Sequence, residues 1–307
     1  EIYTLSLHDA LPISILHGDA KYIDCLERTL YNGVISGMSV DGGKFFYPNP
    51  LSSDGRYRFN ADGTLTRQPW FGCACCPSNL CRFIPSMPGY IYGVRDNDLY
   101  VNLFAANTAT LALGGKSVTI QQETKYPWEG DIAIKVIQNK AKVFNMMIRI
   151  PGWVQSKVVP SDLYSYNDDI FSTYEITVNG QKVDGELENG YMVINRNWKK
   201  GDVVRIHFDM PVRTVVANPR VTDDRGRIAV ERGPLVYCAE WADNEGINPH
   251  HLLLSRKPQF NVLPAYRIEN KEAQSSNLQF FNSSILQFFN VTAISAQAQE
   301  ASISDDG

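Results

Sequence analysis

Six cysteines occur in the 307-residue chain, and four of them, Cys73, Cys75, Cys76 and Cys81, fall within nine positions, while Cys25 and Cys238 stand far away. The densest run is Gly72-Cys73-Ala74-Cys75-Cys76-Pro77-Ser78-Asn79. Adjacent cysteines followed by proline predict two sulfurs just before a helix N-terminus, where the helix dipole and free backbone N–H groups favour thiolate. A thiolate there is a nucleophile or a zinc ligand. Buried, inert thiols are the competing reading, since free cysteine is a common core residue. A Cys75–Cys76 disulfide is disfavoured because vicinal bridges are strained. Two or three sulfurs from one short segment do not close a tetrahedral zinc site, so further ligands must come from elsewhere, and the chain has no second Cys-x-x-Cys and no His-x-x-x-His. The clustering is unlike an evenly spread disulfide framework and points to metal or nucleophile chemistry in a reducing compartment.

The elements around this run follow from periodicity. From Asp19, a capping residue, apolar positions recur at Tyr22, Ile23, Leu26, Leu30 and Tyr31, and Gly33 supplies a stop, which predicts one amphipathic helix over 19–32. Residues 36–72 read as a long loop, rich in glycine and proline and carrying Phe45, Phe46, Tyr47, Tyr57, Phe59, Trp70 and Phe71; a loop of that length in a compact domain is usually functional. A short helix is predicted over 77–87, limited by Pro85, with Cys81 facing the core. From Tyr90 to Met210 the period becomes two, as in Ile132/Ile134/Val136, Phe144/Met146/Ile148/Ile150 and Val204/Ile206/Phe208/Met210. Asn179-Gly180 and Lys200-Gly201-Asp202 read as hairpin turns, so many short strands predict an antiparallel sandwich. The run 227–240 opens a second all-β module. LQFFN occurs twice, at 278–282 and 286–290, in an Asn/Gln/Ser-rich stretch that looks like an insertion or assembly error. Residues 1–14 resemble a translated sequencing adaptor more than protein, with the native frame expected from Ile15.

Lys plus Arg total 29 against 33 Asp plus Glu, a net charge of −4, so no basic surplus is available to neutralise phosphates and nucleic acid is not an expected partner. No run of about 18 apolar residues predicts a spanning helix, and the chain reads as soluble, with no membrane partner. Compartment, cytoplasmic or exported, and oligomeric state are not legible. Adjacent His250 and His251 diverge and do not share a metal.

The segments KYIDCLERTLYNGVISGMSVDGGKFFYPNPL, RQPWFGCACCPSNLCRF, DLYVNLF, IRIPGW and RGRIAVERGPLVYC together resemble glycoside hydrolase family 127, the β-L-arabinofuranosidases, from about Asp19 to Trp241. The resemblance implies a mostly β chain with a small α part. The remnant of an (α/α)6 toroid at 15–91 is followed by a β-sandwich module at 92–212 and a partial second one at 213–307, with a doubtful tail at 270–307. It implies a retaining hydrolase that releases non-reducing-end β-L-arabinofuranose from oligosaccharides or glycans. Cys75 would be the nucleophile, zinc would be held by Cys75, Cys76 and an upstream Glu-x-Cys, and a separate glutamate would be the acid. Tyr47 matches a position that binds the sugar, or else anchors the loop; Trp70 and Phe71 stack on a furanose or pack behind the loop. Cys73 is a third nearby sulfur that the resemblance does not make a ligand. No Glu-x-Cys occurs in the chain, and Glu27 reads as a solvated helix residue rather than a replacement. The expectation is therefore a C-terminal fragment with an incomplete zinc site, inactive alone. The alternative is a non-catalytic carbohydrate-binding or structural β-sandwich protein.

Overall fold

The computed structural model describes residues 17–39, 41–48, 50, 52–239, 248–255, 258–263, 277–280 and 293–300. The chain divides into two compact units, one of residues up to Thr29 together with Cys81–Ile228, the other of Leu30–Leu80 together with residues from Ala229 onward. The adaptor-like residues 1–14 lie outside the described residues, as does the second LQFFN repeat.

The first unit opens with α1 (Lys21–Thr29), whose start is capped by Asp19 Oδ1 accepting from Lys21 N–H at 3.0 Å. Thirteen strands follow: β1 (Tyr92–Arg95), β2 (Asp98–Val101), β3 (Asn107–Leu113), β4 (Lys116–Thr124), β5 (Asp131–Asn139), β6 (Val143–Arg149), β7 (Tyr164–Tyr166), β8 (Tyr174–Val178), β9 (Gln181–Lys182), β10 (Leu187–Glu188), β11 (Tyr191–Asn197), β12 (Val203–Phe208) and β13 (Val212–Ala217). They build a five-stranded sheet in the order β1-β2-β6-β11-β10 and a six-stranded sheet in the order β3-β4-β5-β12-β8-β9, while β13 pairs with β7. The two-residue period is real: Ile132, Ile134 and Val136 of β5, Phe144, Met146 and Ile148 of β6, and Val204, Ile206 and Phe208 of β12 are all buried. Gln122 of β4 donates across to the Tyr92 hydroxyl of β1 at 2.7 Å, a polar tie from one sheet to the other.

Three expectations change here. The five-stranded sheet is not wholly antiparallel, because β2 and β6 run parallel; three intervening strands belong to the other sheet and supply the long crossover that a parallel pair requires. Asn179-Gly180 does turn a hairpin, β8 to β9, with both residues at positive φ. Lys200-Gly201-Asp202 does not, since it carries the chain from β11 in one sheet to β12 in the other, with the Asp202 carboxylate accepting from Lys199 N–H at 2.8 Å.

The third correction is Glu27. It is 2 % exposed rather than solvated, because it lies on the same helical stripe as Ile23, Leu26 and Leu30. Its carboxylate is ion-paired with the fully buried Arg149 at the end of β6 and accepts from the Tyr126 hydroxyl at 2.9 Å. Arg149 also donates to Asp24 Oδ1 at 2.7 Å and to the Asn102 carbonyl at 2.5 Å. Burial works against the Arg149 charge, but the Glu27 and Asp24 carboxylates outweigh it and hold the guanidinium well above its ordinary range.

In the second unit the helix does not stop at Gly33: the chain continues through a π-turn, Leu30–Val34, and a 3-10 turn, Ile35–Gly37. Asn32 in that π-turn donates to the Pro234 carbonyl at 2.9 Å and accepts from Val236 N–H at 2.8 Å, tying it to the hairpin of β14 (Ala229–Arg232) and β15 (Leu235–Tyr237). The described residues between 38 and 74 form no regular helix or ladder, only isolated bridges from Phe45 to Met38 and to Gln68. α2 (Cys75–Ser86), which begins in this unit and runs past its limit at Leu80, starts two residues earlier than predicted and carries Pro85 within its last turn. The remaining strands are β16 (Leu252–Leu254), β17 (Phe260–Leu263), β18 (Asn277–Phe280) and β19 (Ala293–Glu300), with β19 pairing with each of the other three.

Replacing Arg149 by Met strands the buried Glu27 carboxylate and removes the partner of the half-buried Asp24, and is expected to lower stability by ~3–5 kcal/mol, read from a urea midpoint; a loss under ~1 kcal/mol would show that the cluster is not a structural necessity. His207 bridges Asp131 at 2.7 Å and Asp209 at 3.2 Å, and its imidazole is raised above its ordinary value chiefly by the Asp131 bond. Its stabilisation is therefore complete below pH ~6.5 and lost as pH rises through the higher folded value, with solvent exposure limiting it to a few tenths of a kcal/mol. An NMR titration should find the midpoint above that of an unpaired histidine and should find it lowered by Asp131→Asn.

Candidate active site

The loop at 38–74 brings its aromatics into order by alternation. Phe45 exchanges main-chain hydrogen bonds with Gln68 at 2.8 and 2.9 Å, which makes the segment locally extended and turns consecutive side chains to opposite sides. Phe46 packs edge-on against Phe59 and lies under the Arg67 guanidinium. Phe45 and Tyr47 meet a different pair, Trp70 and Phe71, with ring centroids 6.1 and 5.4 Å apart. Phe71 is buried behind Tyr47, as packing predicts, whereas the Trp70 indole remains 54 % exposed.

α2 supplies the sulfurs. Its first turn closes with Ser78 N–H donating to the Ala74 carbonyl at 3.0 Å, and Pro77, which needs no partner there, is buried. Both Cys75 and Cys76 are thus inside the first helical turn rather than just ahead of it, which still puts their sulfurs near the positive end of the dipole. The Tyr47 hydroxyl stands 2.9 Å from Cys75 Sγ and 3.9 Å from Cys73 Sγ. Cys75 and Cys76 sulfurs are 3.9 Å apart. The phenol bond, and then the Cys76 sulfur, pull the Cys75 thiol below its ordinary range, while burial pushes Cys76 up. The same sulfurs raise the Tyr47 hydroxyl, which makes the phenol the better placed of the two groups to keep its proton and donate a hydrogen bond to the Cys75 sulfur.

The residues singled out in sequence are therefore partly united: Tyr47, Cys73, Cys75 and Cys76 form one cluster. Cys81 does not face the core; it is exposed, and Phe83 is the residue of α2 that is buried there instead. His250 and His251 bond to different partners, the Ser53 carbonyl and the Asn248 side chain. Sequence reasoning missed Asn60. It is 4 % exposed and accepts from the Tyr47 main-chain N–H at 2.9 Å; the turn signature Asn60-Ala61-Asp62-Gly63-Thr64 was the available clue.

Zinc is the metal that the sulfur chemistry suggests, and the fit is testable from geometry. Two thiolates on one tetrahedral zinc at ~2.3 Å each stand ~3.8 Å apart, close to the 3.9 Å observed for Cys75 and Cys76. The pair fits two corners of such a site. Among the described residues no group of three or more His, Cys, Asp or Glu completes it, so the donor set is not closed within them.

Three family models match consecutive stretches: the β-L-arabinofuranosidase GH127 catalytic domain over residues 13–89, its middle domain over 98–210, and the glycoside hydrolase family 127 C-terminal domain over 212–279. The chain is 39 % identical over 243 residues to a non-reducing end β-L-arabinofuranosidase of Bifidobacterium longum subsp. longum, covering 75 % of this chain and 33 % of that protein. Among solved structures it is similar to a GH127 β-arabinofuranosidase, at TM-score 0.80 and 49 % identity, covering 94 % of this chain and 45 % of the other. A GH127 β-L-arabinofuranosidase from Geobacillus stearothermophilus T6 follows at TM-score 0.75 and 33 % identity, with the same coverage of 94 % and 45 %. This chain spans about a third of the length of the curated relative and under half of the solved ones. With its three consecutive domain matches, the chain belongs to glycoside hydrolase family 127.

Proposed function

We propose that this chain is the C-terminal portion of a retaining glycosidase that removes non-reducing-end β-L-arabinofuranosyl units from arabinofuranose-containing glycans, with Cys75 as nucleophile. The observation that carries the reading is the 2.9 Å contact between the Tyr47 hydroxyl and Cys75 Sγ at the start of α2. A phenol donor and a helix N-terminus both favour the thiolate, the form of cysteine that attacks carbon. In the first step Cys75 Sγ bonds to the anomeric carbon as the glycosidic C–O bond breaks, and an acid donates a proton to the departing oxygen. In the second, water attacks the same carbon while giving a proton to the conjugate base of that acid, the C–S bond breaks with its electron pair returning to Cys75 Sγ, and the sugar leaves with its original configuration. Cys75 and Cys76 are two donors suited to a zinc ion, which when bound would keep both sulfurs deprotonated at neutral pH. α1 and α2 are, on this reading, the residue of an (α/α)6 toroid.

Among the described residues no third donor joins Cys75 and Cys76, and on this reading the acid is one that the family resemblance places upstream, so the chain alone is expected to be inactive. Purified, it should release no phenol from an aryl β-L-arabinofuranoside. A longer protein that extends the chain upstream through a Glu-x-Cys element should turn the substrate over, and Cys75→Ser in it should cost on the order of 10³-fold or more. Turnover by the 307-residue chain would overturn the fragment reading, and an active Cys75→Ser protein would overturn the nucleophile.

A further inference from the structure

The main-chain pairing that holds the residues before Tyr47 ends just ahead of it. Phe45 is bonded both ways to Gln68, and Phe46 N–H donates to the Gly37 carbonyl at 2.7 Å. At Tyr47 the main-chain N–H goes instead to a side chain, Asn60 Oδ1, at 2.9 Å. The Asn60 amide nitrogen donates to the Thr66 carbonyl at 2.9 Å and to Thr64 Oγ1 at 3.2 Å. Its own backbone closes the turn, N–H to the Thr64 carbonyl at 3.2 Å and carbonyl to Gly63 N–H at 2.8 Å, with Gly63 in the left-handed region at φ +73. Thr64 is fixed in turn by Asp62, whose Oδ1 accepts from its hydroxyl at 2.7 Å. All polar atoms of a buried carboxamide are thus engaged, and one arm ends on the residue whose hydroxyl touches the candidate nucleophile.

We infer that Asn60 is the positioning residue of the cysteine site: it fixes the Tyr47 main chain from one side while Phe71 braces the ring, so that the phenol meets Cys75 Sγ. The inference rests on the reading of Cys75 as the reactive sulfur. A hydrogen bond of this kind weakens steeply with displacement, so freeing the main chain at Tyr47 should act on Cys75 much as deleting the hydroxyl does.

The test is the rate of Cys75 alkylation by iodoacetamide at pH 7.5 in the intact chain, read peptide by peptide and divided by the rate at Cys81, an exposed thiol further along the same helix. Tyr47→Phe should lower that ratio about tenfold, the scale of one hydrogen bond to a charged acceptor. Asn60→Ala should lower it by a similar factor, and the double variant Tyr47→Phe/Asn60→Ala should fall no further, because both act on one contact. An unchanged ratio in Asn60→Ala, or a double variant reduced by the product of the two factors, would each overturn the positioning role while leaving Cys75 reactive. An unchanged ratio in Tyr47→Phe would remove the phenol contact itself and overturn the proposed function's supporting observation along with this one.

Discussion

A fully buried guanidinium, Arg149, is the constraint around which the first unit is arranged. Taking an arginine out of water costs several kcal/mol, and it is tolerated only where opposite charge and hydrogen-bond acceptors surround it. Here Asp24 and Glu27, one helical turn apart on α1, face the same guanidinium, and the Asn102 carbonyl takes the Nε proton. The arrangement explains the hexapeptide Ile148-Arg149-Ile150-Pro151-Gly152-Trp153. Any Cβ on Gly152 would come within 2.9 Å of the Asp24 carboxylate, and the Trp153 indole approaches the Tyr126 hydroxyl that serves Glu27. A second close approach secures the same helix at its start, since Ala20 N–H donates to the Asn189 carbonyl and a side chain on Gly190 would strike Ala20. The helix is therefore fastened by charge along one face and by backbone fit at its start.

The cysteine cluster of the second unit is fixed by other means. Among the described residues, a turn, two isolated bridges and the first turn of a helix hold it. Such short-range devices order a loop without a core of its own, and they concentrate in the residues between Phe45 and Ser78. Asn60 is the case in which a single amide replaces a missing strand partner. The contrast has a physical basis, because a reactive sulfur must stay open to solvent and substrate, whereas an ion pair as strong as that of Arg149 requires water to be excluded.

Much of this was legible in the sequence, and the failures share a cause. Alternation at Ile132/Ile134/Val136 and Val204/Ile206/Phe208 marked strands because side-chain period is a local property. The motif Cys-Cys-Pro-Ser-Asn marked a helix start for the same reason. Glu27 was misread because its burial depends on Arg149, a residue far away in sequence, although its place on the stripe of Ile23, Leu26 and Leu30 was visible. Lys200-Gly201-Asp202 carried a correct turn signal and a wrong partner: turn chemistry says that the chain reverses, not which sheet it enters. The parallel pairing of β2 with β6 and the role of Asn60 likewise arise from contacts that local pattern does not encode.

The separation of the two adjacent sulfurs bears on how a metal would join this architecture. Metal sites commonly form at the expense of ordering their ligands, and that cost is largest when each ligand comes from a separate flexible segment. Cys75 and Cys76 stand on consecutive residues of one helical turn and are already 3.9 Å apart, with Tyr47 and the turn around Asn60 fixing the ground in front of them. For the proposed zinc, the ordering would fall on the other two donors, and the nucleophile would be oriented before the metal arrived. The Tyr47 contact would then add something that zinc does not supply: Cys75 and Cys76 would hold the metal, which would favour the deprotonated sulfur, while the phenol bonded to Cys75 Sγ would restrict how that sulfur is oriented.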